Sequence, residues 1–465
     1  MRTTSRLESR PGILPRNTAA GDHSYSASDR PLAWASRRRR SIPPRRIGLF
    51  GLFGSGNSGN DGSLEAMLVF LRETRPDAEI TCICAPQRSA SIQIAQSLQV
   101  AAIPLGIPPP DNRLLRAVDR LLLSLPRRIL SLVHAIGQMR RLDALIIPGT
   151  GILDDFWEGP LNMPLTLFTW CLVARLWGAT IAFVSIGAGP IHHPISRWLM
   201  KWAVAMADCR SYRDTISKDF MASIGFDARG DEIYPDIAFK LPAPPPTRRA
   251  ANQSGPLTMP LTVGVGVMTY QGWRNDASRN AEIYAAYREK ITDFVLWLLD
   301  RGHVVCILMG DQSDRRAAAD VLAKVAAAKP DLPRDRLRAE PISSLHDLMR
   351  QVAETDVVVA TRFHNVVCAL KLGKPTVSIS YAEKNDALMA EMGLGRFCQH
   401  VERLDVDLLI EQFTQLIADR ERHEQRIEAV NLAYRERLDR QDAILASRVL
   451  GKRPAIEVNT RERHR

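Results

Sequence analysis

The segment Val357-Val358-Val359-Ala360-Thr361-Arg362-Phe363-His364-Asn365 constrains the fold more than any other stretch of the chain. Four small or β-branched apolar residues run without alternation, as a strand buried on both faces of a parallel sheet requires. Val366-Val367-Cys368-Ala369-Leu370 follows at once and reads as a helix. A strand passing into a helix brings the intervening residues to the carboxyl end of the sheet, where open α/β sheets bind ligands. Here those residues include an arginine and a histidine two apart. A guanidinium grips carboxylate or phosphate through a planar fork, and an imidazole moves a proton near neutral pH. The pair points to chemistry on a small anion. The plain alternative is an Arg closing a strand end and a His filling a pocket wall.

The same alternation of strand and helix recurs along the chain. Ile47 to Phe53 reads as a strand opening into the glycine-rich loop Gly54 to Ser63, with a helix expected over Leu64 to Thr74 and a second strand over Glu79 to Ala85. Ala144 to Pro148 and Thr180 to Gly187 are further strands ending in glycine. Six prolines between Leu241 and Pro260 break the pattern as a stiff linker. Beyond them it restarts with strands at Leu261 to Val267, Val304 to Met309 and Thr376 to Ile379, and an amphipathic helix over Ile283 to Leu299. The expected fold is α/β, two Rossmann-like domains facing a cleft. The expected divisions are a disordered Arg-rich arm (1–46), an N-terminal Rossmann-like domain (47–240), the linker (241–260), a C-terminal Rossmann-like domain (261–405), C-terminal helices (406–450) and a disordered tail (451–465). The cleft between the halves is the default active site.

The net charge of +11 suggests nucleic acid until it is located. The arm alone carries eleven Arg against Glu8, Asp22 and Asp29, which is +8, so the rest is nearly balanced and no nucleic-acid partner is expected. The arm has the composition of a disordered segment that could touch anionic lipid, and it lacks the apolar core of a secretory signal. Seven scattered cysteines without metal-site spacing read as reduced core residues of a cytoplasmic protein. Arg113 to Arg141 carries leucines at helical spacing among seven arginines, broken by Pro126. Such a pair of helices suits peripheral contact with the inner face of a membrane, or simply a surface layer whose apolar side rests on the core.

The glycine-rich first loop has no Gly-Lys-Ser/Thr and no strict Gly-x-Gly-x-x-Gly with an acid at the ribose distance, which disfavours nucleotide triphosphate and dinucleotide readings. Asp61 within it reads as a cap for the following helix or a grip on a substrate hydroxyl. Arg213-Asp214, Pro235-Asp236, Gly310-Asp311 and Tyr381-Ala382-Glu383-Lys384 all fall at expected strand ends. Arg213, Arg362 and Lys384 together would hold a phosphate plus a carboxylate.

In order along residues 47–400, these features resemble the polysaccharide pyruvyl transferases: the Gly-Asn-rich loop Gly56 to Asp61, Gly149-Thr150-Gly151 with Asp154, Ile186 to Pro190, Arg213-Asp214 with Ser217, Pro235-Asp236, Arg362-x-His364, and Gly373-x-Pro375 leading to Tyr381-x-x-Lys384. The resemblance implies a glycosyltransferase-like two-domain architecture. It also implies transfer of the pyruvyl unit of phosphoenolpyruvate onto two hydroxyls of a sugar, giving a cyclic ketal and phosphate. By position, His364 would be the general acid or base, and Arg213 and Arg362 would hold the donor. Lys384, Asn57, Asp61, Gly151 and Asp154 complete the expected substrate-binding set. No metal and no cofactor beyond the donor substrate is called for, and the acceptor would be a glycan or lipid-linked oligosaccharide. The competing expectation is a nucleotide-sugar-dependent glycosyltransferase, for which Glu383 is the candidate ribose grip.

Overall fold

The computed structural model describes residues 43–122, 124–155, 159–245, 260–272 and 277–451. The expected arm up to residue 42, most of the proline linker and the tail beyond Gly451 lie outside the described residues. The first sheet holds β1 (Arg46–Phe50), β2 (Glu79–Cys84), β3 (Ala101–Pro104), β4 (Ala144–Pro148), β5 (Thr180–Ile186), β6 (Cys209–Tyr212) and β7 (Glu232–Ile233) in the spatial order β3-β2-β1-β4-β5-β6-β7. The second holds β8 (Thr262–Gly266), β9 (Val304–Leu308), β10 (Leu337–Ala339), β11 (Val357–Ala360), β12 (Thr376–Ser380) and β13 (Cys398–His400) in the order β10-β9-β8-β11-β12-β13. Every pairing between these strands is parallel.

Both sheets are doubly wound, and in each the order reverses beside its first strand: between β1 and β4, and between β8 and β11. Loops leaving neighbouring strands diverge to opposite faces at such a point and leave a crevice. Strand β11 is buried along its whole length, as its unbroken apolar run requires. Each fully buried valine there contributes about 1.5–3 kcal/mol relative to exposure.

The first helix begins earlier than the sequence suggests. It runs Ser58–Thr74, so half of the glycine-rich loop is its first turn, and Asn57 rather than Asp61 is the cap, accepting the Gly59 N–H at 3.0 Å. Tertiary packing overrides low propensity here: a Cβ at Gly62 would stand 2.5 Å from Leu345 of the second half.

The C-terminal region forms two helices, Val406–Ala418 and Arg420–Arg448. The second straps the halves together. Asn431 donates to the Leu370 carbonyl at 2.9 Å, while ten residues on Gln441 donates to the hydroxyls of Ser185 and Ser211 at 2.9 Å each. Asp442 pairs with Lys240 nearby. Among the described residues no helix is long and apolar enough to cross a membrane.

Candidate active site

One cavity of about 240 Å³ gathers residues that follow the carboxyl ends of strands in both sheets. Leu52, Asn57 and Asn60 come after β1, Thr150 to Ile152 and Asp154 after β4, and Arg213 after β6. Met268, Gly310, Arg362 to His364, and Tyr381 with Lys384 come after β8, β9, β11 and β12. Both switch points therefore open into the same space. Three helices, Ser58–Thr74, Phe363–Lys371 and Glu383–Glu391, start at its wall, and a helix N-terminus favours negative charge.

Three cations converge there, each held differently. Arg213 lies over the Phe363 ring, its Cζ 4.7 Å from the centroid, with Asp214 at 3.4 Å and Asp236 at 3.6 Å. It reaches the cavity because Gly187 has no side chain: a Cβ there would fall 2.4 Å from its Nη2. Lys384 sits 5.6 Å from the Phe363 centroid and 5.2 Å from that of Tyr381, with no ion pair among the described residues. Arg362 is not free to offer its whole fork. Its Nε and Nη2 grip Asp314, a fully buried carboxylate, at 2.9 and 2.7 Å, and Nη2 also reaches the Ser313 hydroxyl. Burial opposes the Arg362 charge, yet Asp314 outweighs that and holds its pKa above the ordinary value. The fork expected to clasp substrate is thus used internally, which leaves Arg362 a fixed charge at the cavity wall.

His364 follows Arg362 and Phe363 in the first turn of its helix. Its Nε2 points toward Asp236 Oδ2 across 3.9 Å, beyond hydrogen-bond length. Both atoms, together with Arg213 Nε and Thr150 Oγ1, are buried without a hydrogen-bond partner. Burial pushes the His364 pKa down to about 4. Asp236 pulls the other way, and Arg213, Lys384 and Arg362 reinforce the fall. At neutral pH this leaves the imidazole neutral, below the near-neutral titration expected for it. The other ring nitrogen lies against the first half of the molecule, where a Cβ at Gly59 would stand 1.9 Å from Nδ1.

Of the residues singled out in the sequence, His364, Arg213, Arg362, Lys384, Asn57, Gly151 and Asp154 meet around this cavity. Asp61 does not line it. Its Oδ1 instead accepts the Gly54 N–H at 2.7 Å, and burial raises its carboxyl pKa to about 6. Glu383 is likewise not among the lining residues. Asp236 carried a sequence signal, its strand-end position, without being assigned a role. Asp314 carried none. Among the described residues, no cluster of His, Cys, Asp and Glu could hold a metal ion.

The sequence pattern of the polysaccharide pyruvyl transferase family matches residues 57–383, which span every residue that converges on the cavity except Leu52 and Lys384 at its edges. The chain belongs to this family. No curated protein matches it. Among solved structures it is similar to the UDP-GlcNAc 2-epimerase of Neisseria meningitidis bound to UDP-GlcNAc, with 12% identity and a TM-score of 0.54 over 88% of this chain and 100% of that one. It is also similar to the S. aureus MnaA–UDP structure, with 12% identity and a TM-score of 0.53 over 88% and 99%. The Anabaena Alr3699/HepE complex with UDP-glucose gives 12% identity and a TM-score of 0.53 over 86% and 99%. At such identity the likeness is one of fold: two Rossmann-like halves around a cleft. This polysaccharide pyruvyl transferase shares that architecture.

Proposed function

We propose that the enzyme transfers the pyruvyl unit of phosphoenolpyruvate to two hydroxyls of one sugar in a polysaccharide or glycolipid precursor. The observation that carries this reading is His364, neutral and with no hydrogen bond to its buried Nε2, beside three cations in a small cavity. Phosphoenolpyruvate places a carboxylate and a phosphate within a few bonds, which matches cations spread around one cavity. A volume of about 240 Å³ lies below the roughly 300–1,000 Å³ of sites for drug-sized ligands. That favours a compact donor over a nucleotide sugar, as does the absence of Glu383 from the wall.

The reaction needs one proton delivered to the methylene carbon, which makes the adjacent carbon electrophilic. One sugar hydroxyl attacks it and loses its proton. Departure of phosphate regenerates the electrophilic centre, the second hydroxyl closes the ketal, and the proton it sheds balances the protonated phosphate. In this reading His364 moves these protons. Burial is the main cause of its low pKa, and the donor's negative charge offsets the three cations that add to it, which favours proton uptake when the donor arrives. Arg213 and Lys384 stabilise the charge that develops on the departing phosphate.

The test is to incubate the protein with phosphoenolpyruvate and a panel of glycan acceptors, following phosphate release and the acceptor's gain of a pyruvyl ketal. Nucleotide sugars replace the donor in parallel. Acceptor-dependent phosphate release supports the reading. Nucleotide release from a UDP-sugar, without turnover of phosphoenolpyruvate, overturns it in favour of a glycosyltransferase.

A further inference from the structure

Helices Arg113–Leu121, Leu125–Met139, Met163–Leu176 and Pro194–Ala205 pack in succession, each against the next, on the first half of the molecule. An amphipathic surface helix ordinarily turns its apolar side inward. In Leu125–Met139 only Ala135 and Met139 are buried, while Ile129, Leu130 and Val133 are each more than half exposed. Leu114 is 77% exposed. Of the nineteen exposed large hydrophobic side chains among the described residues, fifteen lie between Leu114 and Trp198. Soluble monomers scatter such residues singly, and a concentration of them marks a surface that meets something apolar.

The charges on these helices indicate what that is. Their sequences hold eight cations and a single acid, Asp119, which is engaged by Arg127 at 3.2 Å, while Arg175 pairs outside them with Asp208 at 3.1 Å, leaving a net excess of cations. Trp177 and Trp198 stand exposed at the same layer. Interfaces between proteins deplete charge at their core. Apolar side chains among arginines, with indoles alongside, are instead the pattern of helices lying in the plane of an anionic bilayer. We infer that this helix layer docks the enzyme on an anionic membrane surface, with its leucines, isoleucine and valines in the acyl boundary and its arginines at the headgroup phosphates. The cavity lies close by, since Met163 at the start of the third helix lines it and Leu172, nine residues on, is exposed. At 1.5 Å per residue the two are separated by about 14 Å along the axis.

The inference does not depend on the donor assignment, and its test keeps them apart. The triple substitution Leu115→Gln, Ile129→Gln, Val133→Gln changes exposed positions to a good helix former and should leave folding intact. Binding of the full-length chain is measured on phosphatidylcholine vesicles with and without about one-third phosphatidylglycerol, with phosphoenolpyruvate affinity as an independent control. The wild type should bind the anionic vesicles with a blue shift in tryptophan emission. The triple variant should bind them at least about tenfold more weakly, with unchanged donor affinity. Equal vesicle binding by the two proteins would overturn the inference, because the contact would then lie elsewhere in the chain. So would a wild-type dimer that the substitutions convert to monomer, because the face would then join two copies of this chain.

Discussion

His364 Nε2 faces Asp236 Oδ2 at 3.9 Å, and neither atom has a hydrogen-bond partner, although Arg213 Nη1 stands 3.6 Å from the same carboxylate oxygen. A buried pair left just out of hydrogen-bond range is costly to maintain and closes on protonation of the imidazole. In the proposed reaction Asp236 would stabilise the charged form of His364. Asp236→Asn removes that stabilisation with little change in shape. It should lower kcat by about 10-fold or more and shift the limb of the pH profile that reports His364 to lower pH. A full-rate Asp236→Asn enzyme with an unmoved pH profile would reduce Asp236 to a backbone cap for Ala238.

The pKa of about 4 for His364 sets a direction for pH. Because the folded value lies below the ordinary 6.5, stability is full above pH 6.5. It declines as pH falls toward 4, where the unfolded chain takes the proton first. A donor anion restores proton affinity, so phosphoenolpyruvate binding near pH 6 should take up protons. Calorimetry in buffers of differing ionisation enthalpy measures that uptake. His364→Gln should bind donor without it and lose roughly 10²–10⁴-fold in turnover. Proton uptake that persists in His364→Gln would assign the titration to another group.

Lys384 isolates electrostatic binding from folding. It has no ion pair to lose among the described residues, so Lys384→Met should leave stability within about 0.5 kcal/mol of wild type. Losing one charge-assisted contact, worth about 1.5–3 kcal/mol, should raise the Kd for phosphoenolpyruvate by roughly 10–100-fold. Unchanged donor affinity would place the anion elsewhere.

Arg362 behaves differently because Asp314 depends on it. Arg362→Ala leaves a fully buried carboxylate with the Thr269 and Gly310 N–H groups at 3.1 and 3.2 Å but no counter-charge, and breaking a buried pair in this way costs about 3–5 kcal/mol. The variant should show a marked fall in Tm along with weakened donor binding. Arg362→Lys keeps the charge but not the two-point grip, so it should recover part of each. An Arg362→Ala protein as stable as wild type would show that the two backbone donors suffice or that Asp314 takes up a proton.

Strand β11 and the Arg362-x-His364 pair were legible because one continuous apolar run fixes a buried strand and its end fixes the site. Arg213 and Lys384 were legible for the same reason, as charged residues after apolar strands, and Gly151 as a glycine at a strand end, whereas Asp154 came only from the family resemblance. Asp314 was not: it ends a single 3-10 turn (Gln312–Asp314) after β9, and only the fold carries it to an arginine 48 residues away. The start of the first helix was hidden because Ser58-Gly59-Asn60-Asp61-Gly62 has the composition of a turn. Its glycines serve contacts made by the other half of the molecule, which local propensity cannot register.

Gly59 turns that hidden constraint into the last prediction. In an ordinary helix Gly→Ala stabilises by about 0.5–1 kcal/mol, since alanine loses less backbone entropy. Here the added methyl would stand 1.9 Å from His364 Nδ1 and 2.1 Å from the neighbouring ring carbon, so the imidazole must turn away or the two halves must part. Gly59→Ala should therefore gain nothing in Tm and lose at least about 10²-fold in turnover, the lower bound for a displaced general acid or base. The double variant with His364→Ala separates this from a general defect: with the ring gone the clash is relieved, so the alanine at 59 should add no further loss. A Gly59→Ala enzyme that turns over normally would mean that His364 can act from another position, and the geometry described here would not be the one that works.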